Sequence, residues 1–138
     1  MKLPAGMIVC LALLSIAAGQ AGAAEAEPDV PLKQAFVSEL QKAVRTNDKN
    51  WLAGHIRYPL RYYGRQTTLI RTKSFFVRNY SSLVVPKLRV AVLAQNPARV
   101  FENWQGMMVG DGSYNIWIRN SGDGLHERYQ IITINASE

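Results

Sequence analysis

The chain contains 138 residues, of which 16 are Lys or Arg and 10 are Asp or Glu, so its formal net charge is +6. Hydrophobic residues make up 48% and charged residues 19% of the sequence, a balance that excludes a disordered, collagen-like or coiled-coil chain. The length also excludes several independent domains, because one domain typically takes about 100–150 residues. We therefore expect one small globular domain.

The N-terminal segment predicts export. Lys2 supplies a positive charge, the run from Met7 to Ala18 is apolar and uncharged, and small residues follow up to Ala24. This arrangement is typical of a secretory signal peptide over residues 1–24, with cleavage expected near Ala23–Ala26. The apolar run is shorter than the roughly 20 residues that a membrane span needs. We expect a periplasmic or secreted protein without a transmembrane anchor after cleavage.

The mature chain is expected to be basic and free of disulfides. Cys10 is the single cysteine of the sequence and lies inside the predicted signal peptide, so the exported domain must fold on its core alone. Residues 25–31 are acidic and contain proline, which is typical of a flexible leader. Outside the cytoplasm, a basic excess favours anionic partners such as lipid headgroups, cell-wall polymers or acidic small molecules.

The first helix is predicted from the spacing of its apolar residues. After Pro31, which favours a first helical turn, apolar side chains recur every fourth residue and polar side chains occupy the other positions. The pattern predicts an amphipathic helix whose apolar face carries Leu32, Phe36, Leu40 and Val44. Asn47 and Asp48 are expected to end it and to cap a second, short helix through Trp51 and Leu52.

Alternating side chains then predict a strand from Arg57 to Arg65. The two faces of this strand would carry Tyr58, Leu60 and Tyr62 on one side and Arg57, Arg61, Tyr63 and Arg65 on the other. The segment from Thr67 to Ile70 is β-branched enough to pair with it across a turn or bulge at Gly64.

The second half of the chain is predicted to contain helices followed by three strands. Thr72 or Ser74 would cap a helix that carries Phe75, Phe76, Tyr80 and Leu83. The segment Pro86–Gln95 fits a helix or a strand, and we favour the helix. The predicted strands are Arg99–Val109, Ser113–Arg119 and Arg128–Asn135, with hairpin turns at Gly110–Gly112 and Asn120–Gly124.

The order of these elements predicts an α+β fold. Helices that precede a run of antiparallel strands typically pack as a layer on one face of the sheet. We expect N-terminal helices packed on a strongly curved, mostly antiparallel sheet.

This order resembles the nuclear transport factor 2-like superfamily, and the segments Tyr58–Leu60, Asn103–Gly106 and Val109–Gly112 are similar to segments of short secreted bacterial proteins. The resemblance covers residues 32–135 and implies a single domain whose sheet forms a cone with one open end. Relatives use the cone for ligands or close it by forming a homodimer through the sheet. The resemblance implies no particular reaction, because one fold serves many functions and the ketosteroid isomerase residues have no complete counterpart here.

Aromatic residues are the leading candidates for a ligand site. Tyr58 and Tyr62 share one strand face, whereas Trp104 and Trp117 lie on two later strands that are expected to pair. Around a curled sheet, these side chains would line an apolar cavity with polar tips. Aromatic side chains in strands also pack as ordinary core residues. The leading hypothesis is an exported module that binds a small, partly apolar or anionic ligand.

Three polar residues of the predicted strand Arg99–Val109 complete this candidate site. Asn103 and Gln105 fall on one strand face, where they would bind a ligand or face solvent. Glu102 is the one acid well inside a predicted strand, and burial near a tyrosine would make it a candidate proton shuttle. Pairing with an arginine is the alternative, and no second carboxylate is positioned beside it. A cofactor-free isomerase or cyclase with Glu102 as base is therefore a weaker hypothesis.

Basic residues on the first strand suggest an interaction surface instead. Arg57, Arg61 and Arg65 would form a stripe beside aromatic residues, a combination that binds single-stranded nucleic acid or anionic glycans. The same stripe also suits a solvated strand face that resists aggregation. Export argues against nucleic acid, so an envelope protein with an anionic partner is the alternative function. His55 and His126 are too few for a metal site, and we expect no cofactor.

Overall fold

The computed structural model describes residues 31–123 and 126–137, so the predicted signal peptide, its cleavage site near Ala23–Ala26 and residues 25–30 of the predicted leader lie outside the described residues. The described part contains helices α1 Leu32–Thr46, α2 Lys49–Gly54, α3 Lys73–Arg78, α4 Tyr80–Leu83 and α5 Pro86–Ala94. Its strands are β1 Ile56–Tyr63, β2 Thr67–Ile70, β3 Phe101–Asn103, β4 Gly106–Gly110, β5 Tyr114–Asn120 and β6 Tyr129–Ala136. No helix in this part of the chain has the length and apolar character of a membrane span.

The first two helices form as their sequence pattern predicts. Leu40 and Val44 of α1 are buried, whereas Leu32 at its exposed first turn keeps 62% of its surface accessible. α1 ends at Asn47, which adopts the left-handed backbone conformation common at helix ends. The Asp48 carboxylate then accepts a hydrogen bond from the Trp51 backbone N–H at 3.0 Å, so Asp48 caps α2 as expected.

The helix predicted after Thr72 is two short helices. Thr72 caps α3 by accepting a hydrogen bond from the Phe75 N–H at 3.2 Å, as predicted. The break falls at Asn79, whose side-chain amide donates to the Phe75 carbonyl oxygen at 2.8 Å. Asparagine side chains weaken helix interiors because they compete for backbone groups in this way.

The ambiguous segment after Pro86 is helical, which confirms the favoured prediction. Pro86 lies in the first turn of α5, where its missing N–H costs no helical hydrogen bond. The buried Gln41 of α1 donates its side-chain amide to the carbonyl oxygens of Val92 and Gln95, at 3.0 and 2.6 Å. These bonds add a partner to carbonyl groups at the end of α5, where the helical hydrogen bonds run out, and they join α5 to α1.

The six strands form one open, mixed sheet in the order β2-β1-β6-β5-β4-β3. β1 and β6 are parallel, and the other neighbouring pairs are antiparallel. The chain therefore has the α+β fold that the sequence predicts, with a mostly antiparallel sheet whose edge strands are β2 and β3. α5 contacts β4, β5 and β6 in the middle of the sheet.

The single strand predicted over Arg99–Val109 is wrong, because the chain reverses at Trp104 and Gln105 to form the β3–β4 hairpin. The Asn103 side-chain oxygen accepts a hydrogen bond from the Gln105 backbone N–H at 2.8 Å, which is the geometry of a tight turn. Gly106 follows at a φ of 134°, a value that favours glycine. These two residues supply the turn that alternation alone did not reveal.

One face of the sheet forms the core. Val109, Ile116, Ile134 and Tyr62 lie side by side on β4, β5, β6 and β1, and we call them the inner row. Each keeps 7% or less of its surface accessible. Neighbouring residues of a strand point to opposite faces of the sheet. The residue before or after each inner-row residue in its strand therefore lies on the face turned away from this core.

Candidate functional site

A continuous row of side chains crosses the opposite face of the sheet from edge to edge. The strand register aligns one residue from each strand, and we call this set the outer row: Leu69, Arg61, Thr133, Trp117, Met108 and Phe101. Since neighbouring strands are about 4.8 Å apart, the row is about 24 Å long. The outer face is the sheet surface that carries this row.

The β3 side of the outer face is aromatic. Phe101 is 55% exposed, and its ring meets the Trp117 ring edge-on, with the ring centroids 6.4 Å apart and an angle of 88° between the planes. Trp117 and Met108 beside it are half-buried. A solvent-accessible pair of rings of this kind offers a partner both stacking and apolar contact.

The β1 side of the outer face is basic. Arg61 is exposed in the outer row, and Arg57 is exposed four residues earlier in the same strand. Arg65 is exposed in the turn between β1 and β2, so it adjoins the face rather than lying on the strand. No ion pair among the described residues joins any of these three arginines to an acid. Two strand spacings, about 10 Å, separate the backbones of Arg61 and Trp117.

The basic face belongs to a long segment without acidic residues. Between Lys49 and Arg99 the sequence contains no Asp or Glu, and its basic residues are Lys49, Arg57, Arg61, Arg65, Arg71, Lys73, Arg78, Lys87, Arg89 and Arg99. This segment includes β1, β2 and helices α3 to α5. Positive charge is therefore concentrated in one part of the fold, which strengthens the field that an anionic partner meets.

The first acid that follows this segment, Glu102, lies on the other side of the sheet. Glu102 of β3 is paired in the register with the buried Met107, and directly opposed residues of antiparallel strands share a face. Glu102 is the one acid within the strands of the described chain, so the strands contribute positive charge and no negative charge to the outer face. The acid-free segment can be identified in the sequence, whereas the alignment of Arg61 with Trp117 can be identified only from the strand register in the structure.

The two tyrosines predicted to line a ligand cavity are held by backbone hydrogen bonds. Tyr62 lies in the inner row, and its hydroxyl donates to the Leu83 carbonyl oxygen at 2.8 Å. The Tyr58 hydroxyl donates to the Ala53 carbonyl oxygen at 2.9 Å. Burial raises the pKa of Tyr58 to about 12, so its hydroxyl stays protonated at neutral pH. Both hydroxyls thus serve the packing of β1 against the helices.

Three other predicted ligand residues come together at the tip of the β3–β4 hairpin. Trp104 is 85% exposed between Asn103 and Gln105, which also face solvent. Arg119 donates to the Gln105 carbonyl oxygen from Nε and Nη2, at 3.2 and 3.1 Å, and so attaches the tip to β5. Trp104 therefore lies among solvent-exposed neighbours and is separate from Tyr58 and Tyr62.

Glu102 reaches the wall of a cavity but carries an ion-pair partner. Its carboxylate accepts a hydrogen bond from the Lys33 ammonium at 2.8 Å, and the two side chains are 51% and 49% exposed. This bond and the carboxylate's charge raise the pKa of Lys33. The cavity beside them, about 500 Å³, lies between the start of α1 and the sheet and also contacts Met107 and Tyr129. The burial that a general base at Glu102 would need is not found.

A second concave surface lies along α5. A groove of about 600 Å³ runs between α5 and the β4–β5 turn, and Val90, Ala94 and Tyr114 contribute its apolar walls. Val90 keeps 69% of its surface accessible, so the groove offers an apolar wall to solvent. Asp111 lies at one end of the groove, and hydrogen bonds from the Tyr114 and Ser113 backbone N–H groups lower the pKa of its carboxyl.

Within residues 31–123 and 126–137, no three His, Cys, Asp or Glu side chains come together in a way that could hold a metal ion. Comparison of the chain with family models, with curated proteins and with solved structures returned no match.

Proposed function

We propose that this chain is an exported binding protein that attaches to an anionic glycan of the cell envelope through its outer face. The observation that supports this function is the outer row, which aligns Arg61 with the aromatic pair Trp117 and Phe101 across one sheet surface. Arginine attracts the acid groups of such a polymer, and the ring faces pack against its repeating units.

The sequence and the fold support the compartment and the architecture of this proposal. The signal-peptide pattern of residues 1–24 favours the periplasm or the exterior of the cell. The order of elements in the sequence resembles a nuclear transport factor 2-like domain, in which the sheet would curve into a cone with one open end, and the α+β fold with its open six-stranded sheet is compatible with this proposal.

The charge of the outer face favours an anionic partner over a second copy of the chain. A two-fold pairing of two outer faces would enclose Arg57 and Arg61 of both copies in one interface. Like charges that face each other across an interface are destabilising, and the strands contribute no acid to this face to offset them.

The proposed function is tested with polygalacturonate, a polyanionic glycan, and with dextran as its uncharged counterpart. We expect the Arg57→Gln, Arg61→Gln double variant to bind polygalacturonate about tenfold more weakly than the parent protein, because two charge-assisted contacts of about 0.7 kcal/mol each are lost. Trp117→Leu should weaken binding without changing its dependence on salt concentration. Isothermal titration calorimetry at two salt concentrations measures both effects.

The matched control removes the same charge from another surface. Lys42→Gln, Arg45→Gln replaces two exposed basic residues of α1 and lowers the net charge by the same amount. This variant should bind within about twofold of the parent. Equal losses in both double variants would mean that net charge alone drives binding, and binding to anionic vesicles without binding to the glycan would make a lipid surface the partner.

The groove along α5 supports a second candidate function, the binding of a small, partly apolar ligand. Its volume of about 600 Å³ falls in the usual range for small-molecule sites, and the exposed Val90 marks its apolar wall. A second groove of about 600 Å³ adjoins it at Pro86, Lys87 and Tyr114 and adds the exposed Arg65, which would favour a ligand with an acid group.

Native mass spectrometry of the protein purified from its own compartment tests this candidate. We expect an additional bound mass that persists through gentle ionisation and is lost in a Val90→Asp variant, because a charge in the apolar wall disfavours the ligand. Leu69→Asp places the same charge at another partly exposed apolar residue, 46% accessible on the opposite sheet face, and should keep the bound mass. A bare polypeptide mass in the parent would remove this candidate.

A further inference from the structure

An aromatic cavity at the other end of the fold has no part in the proposed function. It measures about 390 Å³ and lies between α1, the end of α2 and the start of β6. Phe36, His55 and Tyr129 contribute rings to its wall. None of these residues lies on the outer face or along α5.

The rings of this cavity are fixed by mutual contacts. The centroid of Phe36 is 5.8 Å from that of His55 and 5.6 Å from that of Tyr129. Trp51 stacks on His55 with the centroids 3.9 Å apart. The Nδ1 atom of His55 lies 2.7 Å from the Trp51 carbonyl oxygen, which fixes the orientation of the imidazole. Three rings therefore present preformed surfaces to the same space.

The charged groups on this wall are mainly acidic. Glu39 and Glu127 line the cavity, and Arg128 is the opposing charge. The Tyr129 hydroxyl donates to the Glu127 carboxylate at 2.9 Å. Burial and this hydrogen bond raise the pKa of Tyr129 to about 12, so the phenol remains a neutral donor beside the cavity. The combination of aromatic faces with carboxylates matches the recognition of an organic cation.

We propose that the cavity formed by Phe36, His55 and Tyr129 binds a quaternary ammonium group. A cation of this kind is large and weakly hydrated, so it gains more from ring faces than a metal ion does, and a ring wall with two carboxylates complements its charge. Arg128 at the rim favours a ligand that carries an acid group next to the ammonium. The proposal is independent of glycan binding, because the two surfaces share no residue.

Choline is the probe for this site, and its uncharged isostere, in which a tert-butyl group replaces the trimethylammonium, is the control ligand. Because the two ligands have the same shape, a difference in affinity reports the charge. We expect choline to bind the purified protein about tenfold more tightly than the isostere, as measured by calorimetry and by the fluorescence of Trp51 near the site. Equal affinity for both ligands, or no binding of either, would overturn the proposal.

Two variants and two controls locate the binding. Tyr129→Leu removes one ring and should weaken choline binding about tenfold, whereas the exposed Glu39→Gln should weaken it about threefold. Tyr114→Leu and Asp111→Asn remove a ring and a carboxylate at the groove along α5, outside the cavity, and should leave the affinity for choline unchanged. Far-UV circular dichroism checks that each variant folds. If Tyr129→Leu does not fold, the effect of Glu39→Gln on choline binding tests the proposal by itself. Equal losses from Glu39→Gln and Asp111→Asn would show a general charge effect and would refute the site.

Discussion

Replacement of Gly110 by alanine is expected to destabilise the protein by about 3 kcal/mol. Gly110 has a φ of 127°, which residues with a Cβ atom rarely adopt. A Cβ atom there would overlap the Tyr114 carbonyl oxygen and would lie 2.9 Å from the Asn115 Cα atom. Since both neighbours are backbone atoms of β5, the hairpin must deform to accept the methyl group. Urea unfolding followed by circular dichroism measures the loss.

The deformation at Gly110 is also expected to disturb the side-chain hydrogen bonds of the buried Asn115. Asn115 is 2% exposed, donates to the Asp111 carbonyl oxygen at 2.7 Å and accepts from the Asn135 side-chain amide at 2.6 Å. Displacement of Asn115 would leave these buried groups without partners, which adds to the cost.

Gly112→Ala is the control in the same turn. A Cβ atom at Gly112 meets nothing within 4 Å, so this variant should keep the parent stability or gain up to about 1 kcal/mol from the less flexible unfolded chain. A Gly110→Ala protein as stable as Gly112→Ala would mean that the turn tolerates a side chain and that our account of the β4–β5 hairpin is wrong.

Most of the fold was predictable because its signals are local. The four-residue spacing of α1, the capping residues Asp48 and Thr72 and the alternation around Arg57–Tyr63 each depend on neighbours in the sequence, and each is found in the structure. The β3–β4 hairpin was missed because its turn residues, Trp104 and Gln105, are poor turn formers. The residues that favour the turn are the flanking Asn103 and Gly106. Their contributions, a side-chain hydrogen bond and a positive φ, are apparent only in the structure.

The candidate surface was harder to predict because it depends on strand order. Alternation indicated that Arg57 and Arg61 share a strand face, and Trp117 was expected on a strand. Their placement on one surface requires β6 to insert between β1 and β5, with β1 and β6 parallel, and this pairing joins segments about 70 residues apart in sequence. Tyr58 and Tyr62 were grouped by the same alternation, but alternation does not reveal their hydrogen-bond partners, which are Ala53 at the end of α2 and Leu83 in α4.

The distribution of charge over the fold explains why the two proposed sites would attract ligands of opposite charge. The acid-free segment from Lys49 to Arg99 places basic residues on β1, α3 and α5, whereas Glu39, Glu102 and Glu127 lie along α1, β3 and just before β6. An acidic polymer and a quaternary ammonium are attracted to different surfaces of such a molecule. Each ligand should therefore bind in the presence of the other.

Replacement of Leu40 by alanine is expected to lower the free energy of unfolding by about 3 kcal/mol. Leu40 has no accessible surface, and α1, which carries it, contacts both α2 and α5. Removal of the side chain leaves a cavity that these packed neighbours fill only in part, because protein interiors are close to crystal density. Cys10 is the single cysteine of the sequence, so no disulfide within the chain compensates for the lost packing.

Leu32→Ala makes the same chemical change two helical turns earlier in α1, where the leucine is 62% exposed. Its expected effect is within about 0.5 kcal/mol, because most of the removed surface is already in contact with water. Chemical denaturation of the two variants under identical conditions isolates the effect of burial, because the change in helix propensity from leucine to alanine is the same in both. Equal stability of the two variants would mean that the face of α1 carrying Leu40 is not packed in the core.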